Sequence, residues 1–507
     1  MTHVMRSIPQ AAAAGIVGAA VSLGLSELVA GLLPGAPSLV LAIGGAIIDA
    51  QPPGAKDLVV ALFGTNDKLA LEIGIVVVAL AVAAGLGVLA RTRFSLAAAG
   101  FGLAGLAGFV AALGDPLVTP TLAAVNAGLA TGAGIQVLSW LITTERPGPA
   151  MPDWSRRRFL VRGGAMAVAS LAAGVVGRSL LTAQAAAPRA ALPEIPPATP
   201  APPLPIGASL DVAGISPLIV PNDDFYRIDT ALIVPRVDLP TWAMRVHGMV
   251  DREVTLSYEQ LLELSLFEQY VTIACVSNEV GGDLVGNAKW TGARLADVLD
   301  MAGVQPGASQ LVGRSVDGWT GGFPTAWLTD HPEREAMIAV AMNDEPLPIA
   351  HGFPARLIVP GLYGYVSATK WLSEVELTTL EAFDAYWVPL GWAKEAPILT
   401  QSRIDTPRNG ASVTAGRVAV AGVAWAPDRG ISTVEVAVDG DWAPAVLSTP
   451  VSGATWLQWR FDWQATPGDH EIAVRATDGP GETQTELRSP PAPDGARGWH
   501  TIRVRVA

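Results

Sequence analysis

The stretch Tyr270-Val-Thr-Ile-Ala-Cys-Val-Ser-Asn-Glu-Val-Gly-Gly282 contains the only cysteine of this 507-residue chain, Cys275. The apolar run before the cysteine is typical of a buried strand, and the two glycines predict a turn soon after it. A single thiol cannot form an intrachain disulfide, so Cys275 serves packing, nucleophilic chemistry or the binding of a soft metal ion. The rest of the sequence bears on which of these three roles it has.

A cysteine hydrolase would use Cys275 as its nucleophile and a histidine such as His351 as its base. The local signatures of cysteine proteases are missing around Cys275, and so is a nucleophile-elbow context. A buried packing cysteine is the simpler alternative, because free cysteine is one of the most buried residue types.

The first 180 or so residues are rich in Ala, Gly, Leu and Val, whereas the remainder has the composition of a water-soluble protein. An apolar stretch of about 20 residues is long enough to span a bilayer. Five such stretches occur, at roughly 9–32, 69–90, 95–113, 120–142 and 160–182. Charged residues and prolines such as Asp49 and Pro52 interrupt the stretch 39–63, which we interpret as re-entrant or as lying on the outer surface. The sequence thus predicts an N-terminal α-helical transmembrane bundle over 1–182.

Basic residues predict the orientation of this bundle. Arg6, the pair Arg91 and Arg93, and the run 156–158 all fall in alternate loops, which the positive-inside rule assigns to the cytoplasm. Five spans then place everything after Leu180 on the extracytoplasmic side of the cell membrane.

The segment Ser155-Arg-Arg-Arg-Phe-Leu160 resembles a twin-arginine export motif, which serves proteins that fold before they cross a membrane. The alternative is that these arginines only fix the topology of the following span. Within the apolar runs, Glu27 and Glu72 are either functional intramembrane groups or residues at helix ends.

Three further regions follow the bundle. Eight prolines between Pro188 and Pro205 predict an extended, proline-rich linker over 183–208 that lifts the next domain off the bilayer. Residues 209–396 mix short strands with helical stretches such as 257–264 and 293–302, which indicates a mixed α+β domain.

From 397 to 507, alternating strands separated by Gly, Pro and Asp turns predict an immunoglobulin-like β-sandwich. Its strands are predicted at 418–425, 434–438, 456–463, 471–477 and 501–506. The net charge of −13, without a basic stripe, argues against a nucleic-acid partner.

Six motifs lie in order between residues 222 and 372. They are Asn222-Asp-Asp-Phe-Tyr226, Cys275-Val-Ser-Asn-Glu-Val-Gly-Gly282, Gly286-Asn-Ala-Lys-Trp-Thr-Gly-Ala-Arg-Leu295, Arg314-Ser-Val-Asp-Gly-Trp319, His351-Gly-Phe-Pro-Ala-Arg-Leu-Ile-Val-Pro-Gly361 and Tyr363-Gly-Tyr-Val-Ser-Ala-Thr-Lys-Trp-Leu372. In this order and spacing they resemble the sulfite oxidase family of molybdopterin enzymes. The resemblance covers about 220–507, since the C-terminal region looks like that family's dimerisation domain.

The resemblance implies that Cys275 is the metal ligand, giving its thiolate to molybdenum while the pterin dithiolene supplies the other sulfurs. It also implies a set of cofactor-binding residues, namely Asn222, Phe225, Tyr226, Ser315, His351, Arg356, Ser367, Ala368, Thr369 and Lys370. Arg356 and Lys370 suit an anionic cofactor. Each residue has a plainer alternative as a core aromatic, a buried imidazole or a paired charge, and Gly281, Gly282 and Gly286 serve either close cofactor approach or turns.

One segment departs from the sulfite-oxidising members, which carry Arg-Asn-His two positions after the first motif. Here those positions read Ile228-Asp229-Thr230, with Arg227 just before them. An anionic substrate such as sulfite needs converging cations, which Arg227, Arg294 or Arg314 could restore; we take Arg227 and Arg314 as catalytic candidates beside Cys275.

The sequence as a whole predicts a membrane-anchored molybdenum oxidoreductase that transfers oxygen to or from a sulfur-type or oxide substrate. The only histidine before the linker is His3, so we expect no haem in this chain and a separate electron carrier, either a cytochrome or a membrane haem protein. A homodimer through the C-terminal domain is expected. The alternative is a metal-free, outward-facing binding protein on the same scaffold.

Overall fold

The structure, a computed structural model, describes residues 7–52, 54–55, 59, 62–63, 66–142, 154–185, 194–330 and 334–507. The chain divides into two compact units. One comprises Met1–Arg189 with Thr230–Arg236, and the other comprises Ala190–Asp229 with Val237–Ala507. The segment Thr230–Arg236 therefore groups with the helical unit, although the sequence places it inside the predicted α+β domain.

The helical unit contains six long helices in its described part. They are α1 (Ile8–Leu32), α2 (Leu39–Asp49), α3 (Asp67–Leu89), α4 (Phe94–Ala112), α5 (Pro120–Ile142) and α6 (Trp154–Ala185). All but α2 are long and apolar enough to cross a membrane, which confirms the five predicted apolar helices. Helix α2 covers the first half of 39–63. The re-entrant segment stays a prediction, because the structure does not describe residues 53, 56–58, 60–61 and 64–65. Arg6, one of the basic residues that predict the orientation, also lies outside the described residues.

Small residues let the helix backbones of this unit approach closely. A Cβ atom added at Gly15 of α1 would lie 1.9 Å from the Ala83 carbonyl oxygen, and one at Gly24 would lie 2.3 Å from that of Ser170. In a bilayer, where apolar side chains gain nothing by leaving lipid, such close van der Waals packing holds helices together.

Both acidic residues predicted in the spans meet one arginine. Arg178 of α6 forms an ion pair with Glu72 of α3, and its Nη1 lies 3.6 Å from Glu27 Oε2 of α1. The Ser38 hydroxyl also donates to Glu27. These carboxylates are therefore packed between helices and do not simply end them.

The second unit begins with two sheets, the first antiparallel and the second mixed through the parallel pair β1 and β10. One has the order β3-β4-β7-β8 with β9 also paired to β7, and the other has the order β2-β1-β10-β5-β6. Their strands are β1 (Ala243–Gly248), β2 (Val254–Ser257), β3 (Leu266–Ala274), β4 (Val285–Arg294), β5 (Gln310–Ser315), β6 (Thr320–Pro324), β7 (Met337–Met342), β8 (Glu345–Pro346), β9 (Arg356–Ile358) and β10 (Leu372–Thr378). Buried apolar residues of both sheets share one core.

Short helices connect these strands. They are α7 (Tyr258–Leu262), α8 (Leu295–Ala302), α9 (Ala326–Thr329) and α10 (Gly364–Ser367). The Ser257 hydroxyl accepts a bond from the Gln260 amide and begins α7, while Gly303, at a φ of 71°, ends α8. The two predicted helices thus exist and are shorter than the apolar pattern suggested.

The C-terminal region is a two-sheet sandwich with its own core, as predicted. One sheet has the order β11-β13-β17-β16 and the other β12-β19-β18-β14-β15. The strands are β11 (Gln401–Thr406), β12 (Ser412–Val413), β13 (Gly416–Trp425), β14 (Ile431–Val438), β15 (Asp441–Pro444), β16 (Val446–Leu447), β17 (Leu457–Ala465), β18 (Gly468–Asp478) and β19 (His500–Val506). Trp425 and Trp456 from this region also pack into the core shared by the two preceding sheets.

The predicted linker differs from a free spacer over its described part, 194–208. This part forms no helix and turns at residues 206–207, and Thr199 pairs with Phe267 of β3 through a bond of 2.9 Å from the Thr199 amide to the Leu266 carbonyl. Ala208 is buried in the core. The interpretation as a spacer is therefore wrong for this part, because the edge of β3 offers unpaired backbone groups that an extended segment satisfies.

Candidate active site

Cys275 directly follows strand β3 and begins a closed loop that ends before β4. Its amide donates to the Leu284 carbonyl at 2.9 Å, and its own carbonyl accepts from the Asn278 amide at 3.1 Å. The Asn278 side chain accepts from the Leu284 amide at 2.9 Å, which closes the loop from inside. Cys275 is 8% exposed. The loop thus holds a nearly buried thiol at the end of a core strand.

The C-terminal sandwich supports this loop from the other side. Gly281 has a φ of +80°, and a Cβ atom there would lie 2.3 Å from the His500 ring. Arg403 Nη1 donates to the Gly282 carbonyl at 2.7 Å. At Gly286, an added Cβ would lie 2.7 Å from the Phe225 ring. All three glycines are therefore required by turn geometry or by neighbouring protein atoms.

Aromatic rings pack beside this loop. Phe225 stacks on Tyr226 with ring centres 5.3 Å apart, and it meets the edges of Trp290 and His351 at 5.9 and 5.7 Å. Phe225 is buried. Burial and the nearby charge of Cys275 raise the pKa of the Tyr226 hydroxyl, so this hydroxyl stays protonated at neutral pH.

Arg356, the first residue of β9, is 4% exposed and lies among these rings. Its Nη1 donates to the His351 carbonyl at 3.0 Å and its Nη2 to the Ala368 carbonyl at 3.4 Å. Burial lowers its pKa to about 10, which leaves it charged at neutral pH. No carboxylate pairs with it among the described residues, and its buried Nε has no hydrogen-bond partner there. An uncompensated buried cation of this kind suits an anionic ligand.

His351 and Asn222 form the opposite side of the cluster. His351 Nε2 donates to the Asn222 carbonyl at 2.9 Å. Burial lowers the pKa of His351 to about 4. The bond to Asn222 acts in the opposite direction, whereas the charges of Arg356, Lys370 and Arg227 also lower the pKa. The imidazole is therefore neutral at pH 7. The Asn222 side chain accepts from Asn343 Nδ2 at 2.9 Å, which fixes its own position.

The remaining cofactor-binding candidates lie on β5 and around α10. The Ser315 hydroxyl is buried and has no partner among the described residues. Ser367 Oγ donates to the Tyr363 carbonyl at 3.0 Å, and Thr369 Oγ1 to the Gly313 carbonyl at 3.4 Å. The hydroxyls of Ser367 and Thr369 are thus used by the fold, and Ala368 contributes the carbonyl that accepts from Arg356.

Lys370 is held by a buried carboxylate. Its Nζ lies 3.0 Å from Asp229 Oδ2, and Arg227 Nε lies 2.9 Å from the same oxygen. The Asp229 side chain is 5% exposed, against 12% for Lys370 and 41% for Arg227. Burial lowers the pKa of Lys370 to about 8, against the raising effect of Asp229. This part of the site joins one carboxylate and two cations.

The structure does not support Arg314 as a catalytic residue. Its guanidinium is paired with Glu376 of the neighbouring strand β10 and lies over the Phe383 ring. Arg294 Nε similarly donates to Glu335 at 2.8 Å. Both arginines have carboxylate partners that satisfy their charge. These partners could not be recognised from the sequence, because Glu335 lies 41 residues from Arg294 and Glu376 lies 62 residues from Arg314.

Comparison with known proteins extends this description. The family model described as an oxidoreductase molybdopterin binding domain matches residues 231–387, and one described as a bacterial Ig domain matches residues 401–474. The chain is 29% identical over 345 residues to the mitochondrial sulfite oxidase of Homo sapiens, which covers 57% of this chain and 62% of the human protein. It is 34% identical over 155 residues to the oxidoreductase YuiH of Bacillus subtilis, which covers 31% of this chain and 74% of YuiH. The chain belongs to the sulfite oxidase family of molybdopterin-dependent oxidoreductases.

A solved structure shares the fold of this sulfite oxidase family member. The sulfane dehydrogenase SoxCD from Paracoccus pantotrophus superposes with a TM-score of 0.50 at 20% identity, over 57% of this chain and 82% of that one. The chain spans 62% of the length of the human sulfite oxidase that it matches. The predicted family resemblance is confirmed.

The side chains around Cys275 fit the molybdopterin group that the family model's description names. Arg356 Nε and Ser315 Oγ are buried polar atoms without a protein partner in the described part of the chain. Two hydrogen bonds link the segments that carry Arg356 and Ser315. Arg356 donates to the Ala368 carbonyl, and the hydroxyl of the next residue, Thr369, donates to the Gly313 carbonyl on β5, the strand of Ser315. Among the described residues, no three or more Cys, His, Asp or Glu side chains are grouped so that they could hold a metal ion.

Two residues of this site escaped the sequence prediction. Trp290 carries Arg356 on its ring face, at 5.1 Å, and Tyr363 lies close enough to Cys275 for the charge of the thiolate to raise the pKa of its hydroxyl, after the larger effect of burial. Both residues lie within the quoted motifs. From the sequence alone, Trp290 and Tyr363 could not be distinguished from aromatic residues of the core.

Proposed function

We propose that this protein is a membrane-anchored, molybdopterin-dependent oxidoreductase that transfers an oxygen atom to or from a sulfur-type substrate. The observation that carries the proposal is the buried Arg356, whose Nε has no protein partner in the described chain, in the same cluster as the single thiol, Cys275. When bound, molybdopterin supplies a molybdenum centre able to exchange two electrons and one oxygen atom with a substrate.

The residues of the chain hold that group and keep the site in one protonation state. Cys275 would hold the metal as a thiolate ligand, and Arg356 and Ser315 would donate hydrogen bonds to polar atoms of the cofactor. Neutral His351 has its Nε2 proton engaged by the Asn222 carbonyl, so it neither gives nor takes a proton near pH 7. Tyr226 keeps its hydroxyl proton and offers it as a hydrogen-bond donor.

Aromatic packing excludes water from the same region. Phe225, Trp290 and Tyr363 are buried around the cluster. In such an enclosed site the charge of Arg356 acts over a low local dielectric, so its attraction for an anionic group is stronger than at a surface.

The five apolar helices and the alternation of arginines support a multi-pass membrane protein whose catalytic unit lies on the extracytoplasmic side. Electrons pass to a separate carrier in this proposal. The C-terminal sandwich is proposed to mediate homodimer formation. The twin-arginine signal at Ser155–Leu160 lies in the first turns of α6 and also stays a proposal.

The test is the molybdenum content and turnover of the purified full-length chain, with sulfite, methionine sulfoxide and other S- or N-oxides as substrates. We expect about one molybdenum per chain and turnover that Cys275→Ser abolishes while the fold persists. A matched control is Ser402→Ala, a small buried polar residue in the sandwich. Wild-type protein that contains no molybdenum would support the metal-free binding protein instead.

A further inference from the structure

The site contains a buried carboxylate, Asp229, that is bonded to two of its cations, Arg227 and Lys370. Segment 228–230 lacks the arginine of the sulfite-oxidising members, and the sequence left three other arginines as candidates to bind sulfite in its place. Each has a carboxylate partner: Arg294 pairs with Glu335, Arg314 with Glu376, and Arg227 with Asp229. The first two pairs are far from Asp229 in the sequence: Arg294 ends β4, and Arg314 and Glu376 lie on β5 and β10. Only the third adjoins the residues around His351.

Asp229 neutralises two cations with one oxygen. Oδ2 accepts from Arg227 Nε at 2.9 Å and from Lys370 Nζ at 3.0 Å. The three side chains together carry one net positive charge, whereas the two cations alone would carry two. An oxyanion at this place would therefore compete with Asp229 for the attraction of the same two cations.

Burial makes this competition unequal. Asp229 is 5% exposed and Lys370 is 12% exposed, so solvent screens their attraction poorly. The lysine is further held by the Ala350 carbonyl at 3.4 Å and lies 4.9 Å from the Trp371 ring centre. A substrate anion would have to displace a preformed, desolvated ion pair, whereas an uncharged substrate would not.

We infer that Asp229 is a specificity-determining residue that reserves the substrate site for uncharged sulfur or nitrogen oxides by cancelling the charges of Arg227 and Lys370. The inference rests on the proposed function, because it names the substrate class of that same site. Asp229 acts through the two cations and does not touch the reacting atoms.

The experiment measures sulfate binding to the full-length, molybdenum-loaded protein by titration calorimetry. Sulfate is an oxyanion that undergoes no turnover, so the measurement is independent of activity. Replacing Asp229 by Asn keeps the shape of the side chain and frees both cations, so we expect the dissociation constant for sulfate to fall by about tenfold or more. Asp229→Glu keeps the charge and should retain the weak binding of the wild type.

Glu335→Gln is the matched control, since it frees Arg294 on another strand and should leave sulfate binding unchanged. The inference is overturned if Asp229→Asn binds sulfate as weakly as the wild type, or if Glu335→Gln gains as much affinity. It is also overturned if Asp229→Asn loses molybdenum without gaining sulfate affinity, because Asp229 would then only position Lys370 for the cofactor. A wild-type chain without molybdenum contradicts the proposed function alone, since the comparison of sulfate affinities still decides the role of Asp229.

Discussion

The guanidinium of Arg356 lies over the ring of Trp290, with its central carbon 5.1 Å from the ring centre. Trp290 is fully buried in β4, and Arg356 begins β9 of the same sheet. The ring face stabilises the cation while two backbone carbonyls fix its orientation. The Nε donor is thereby kept available at the site, and no carboxylate of the described residues pairs with this guanidinium.

Arg356→Lys should lower molybdenum retention although it keeps the charge. A lysine cannot donate to the carbonyls of His351 and Ala368 and to the cofactor at once, because it lacks the planar fork of arginine. We expect about tenfold weaker retention during dialysis, measured as metal per chain. Arg294→Lys, which alters an arginine paired with Glu335, is the control. Equal molybdenum content in the two variants would contradict the assignment of Arg356 to the cofactor.

The stability of the second unit should fall as the pH drops from about 6.5 to about 4. His351 has a pKa of about 4 in the folded protein, against an ordinary value of 6.5 in the unfolded chain. Between pH 6.5 and pH 4 the imidazole is therefore protonated only in the unfolded chain, and acid favours unfolding. The loss amounts to about 3 kcal/mol at pH 4. It levels off below that pH, where the folded protein also takes up the proton.

The measurement is the unfolding free energy, followed by tryptophan fluorescence between pH 4 and 7 on protein made without the cofactor. Burial also lowers the pKa of His500 to about 4, so His351→Gln should remove about half of the acid slope. His470→Gln is the control, because Asp439 raises the pKa of that histidine and its effect has the opposite sign. An unchanged slope in His351→Gln would mean that this imidazole titrates normally.

The helical spans and the Cys275 loop were predictable because their signals are local. Apolar length alone defined α1 and α3 to α6, and the motif around Cys275 predicted both the strand before it and the turn after it. The sandwich was predictable for the same reason, since its strands alternate apolar and polar residues between turns.

The pairing of charged residues was not predictable, because it depends on contacts between distant parts of the chain. Lys370 and Asp229 lie 141 residues apart, and Arg314 meets Glu376 only through the register of β5 and β10. The proline-rich linker shows the same limit. Its prolines argued against a helix, whereas its pairing with β3 depends on a sheet edge that the sequence does not reveal.

Gly281→Ala should destabilise the loop that carries Cys275. The new Cβ would meet the His500 ring at 2.3 Å, and the φ of +80° is strained for any residue with a side chain. We expect a loss of about 2 kcal/mol in unfolding free energy and lower molybdenum content. Adding His500→Ala should recover the part due to the ring and leave the backbone part. Strictly additive effects of the two substitutions would show that His500 does not press on this glycine.

Arg178→Leu should destabilise the helical unit, because it leaves Glu72 and Glu27 without their cation between helices α1, α3 and α6. Removing one partner of a buried pair costs about 3 kcal/mol, since the remaining charge stays desolvated. The measurement is the thermal midpoint of the full-length chain in detergent. Adding Glu72→Gln to Arg178→Leu should restore part of the stability, because it removes one of the stranded charges. Arg93→Leu, at the start of α4, serves as the control for loss of a positive charge. If the double variant is less stable than Arg178→Leu alone, the three side chains do not form one electrostatic cluster.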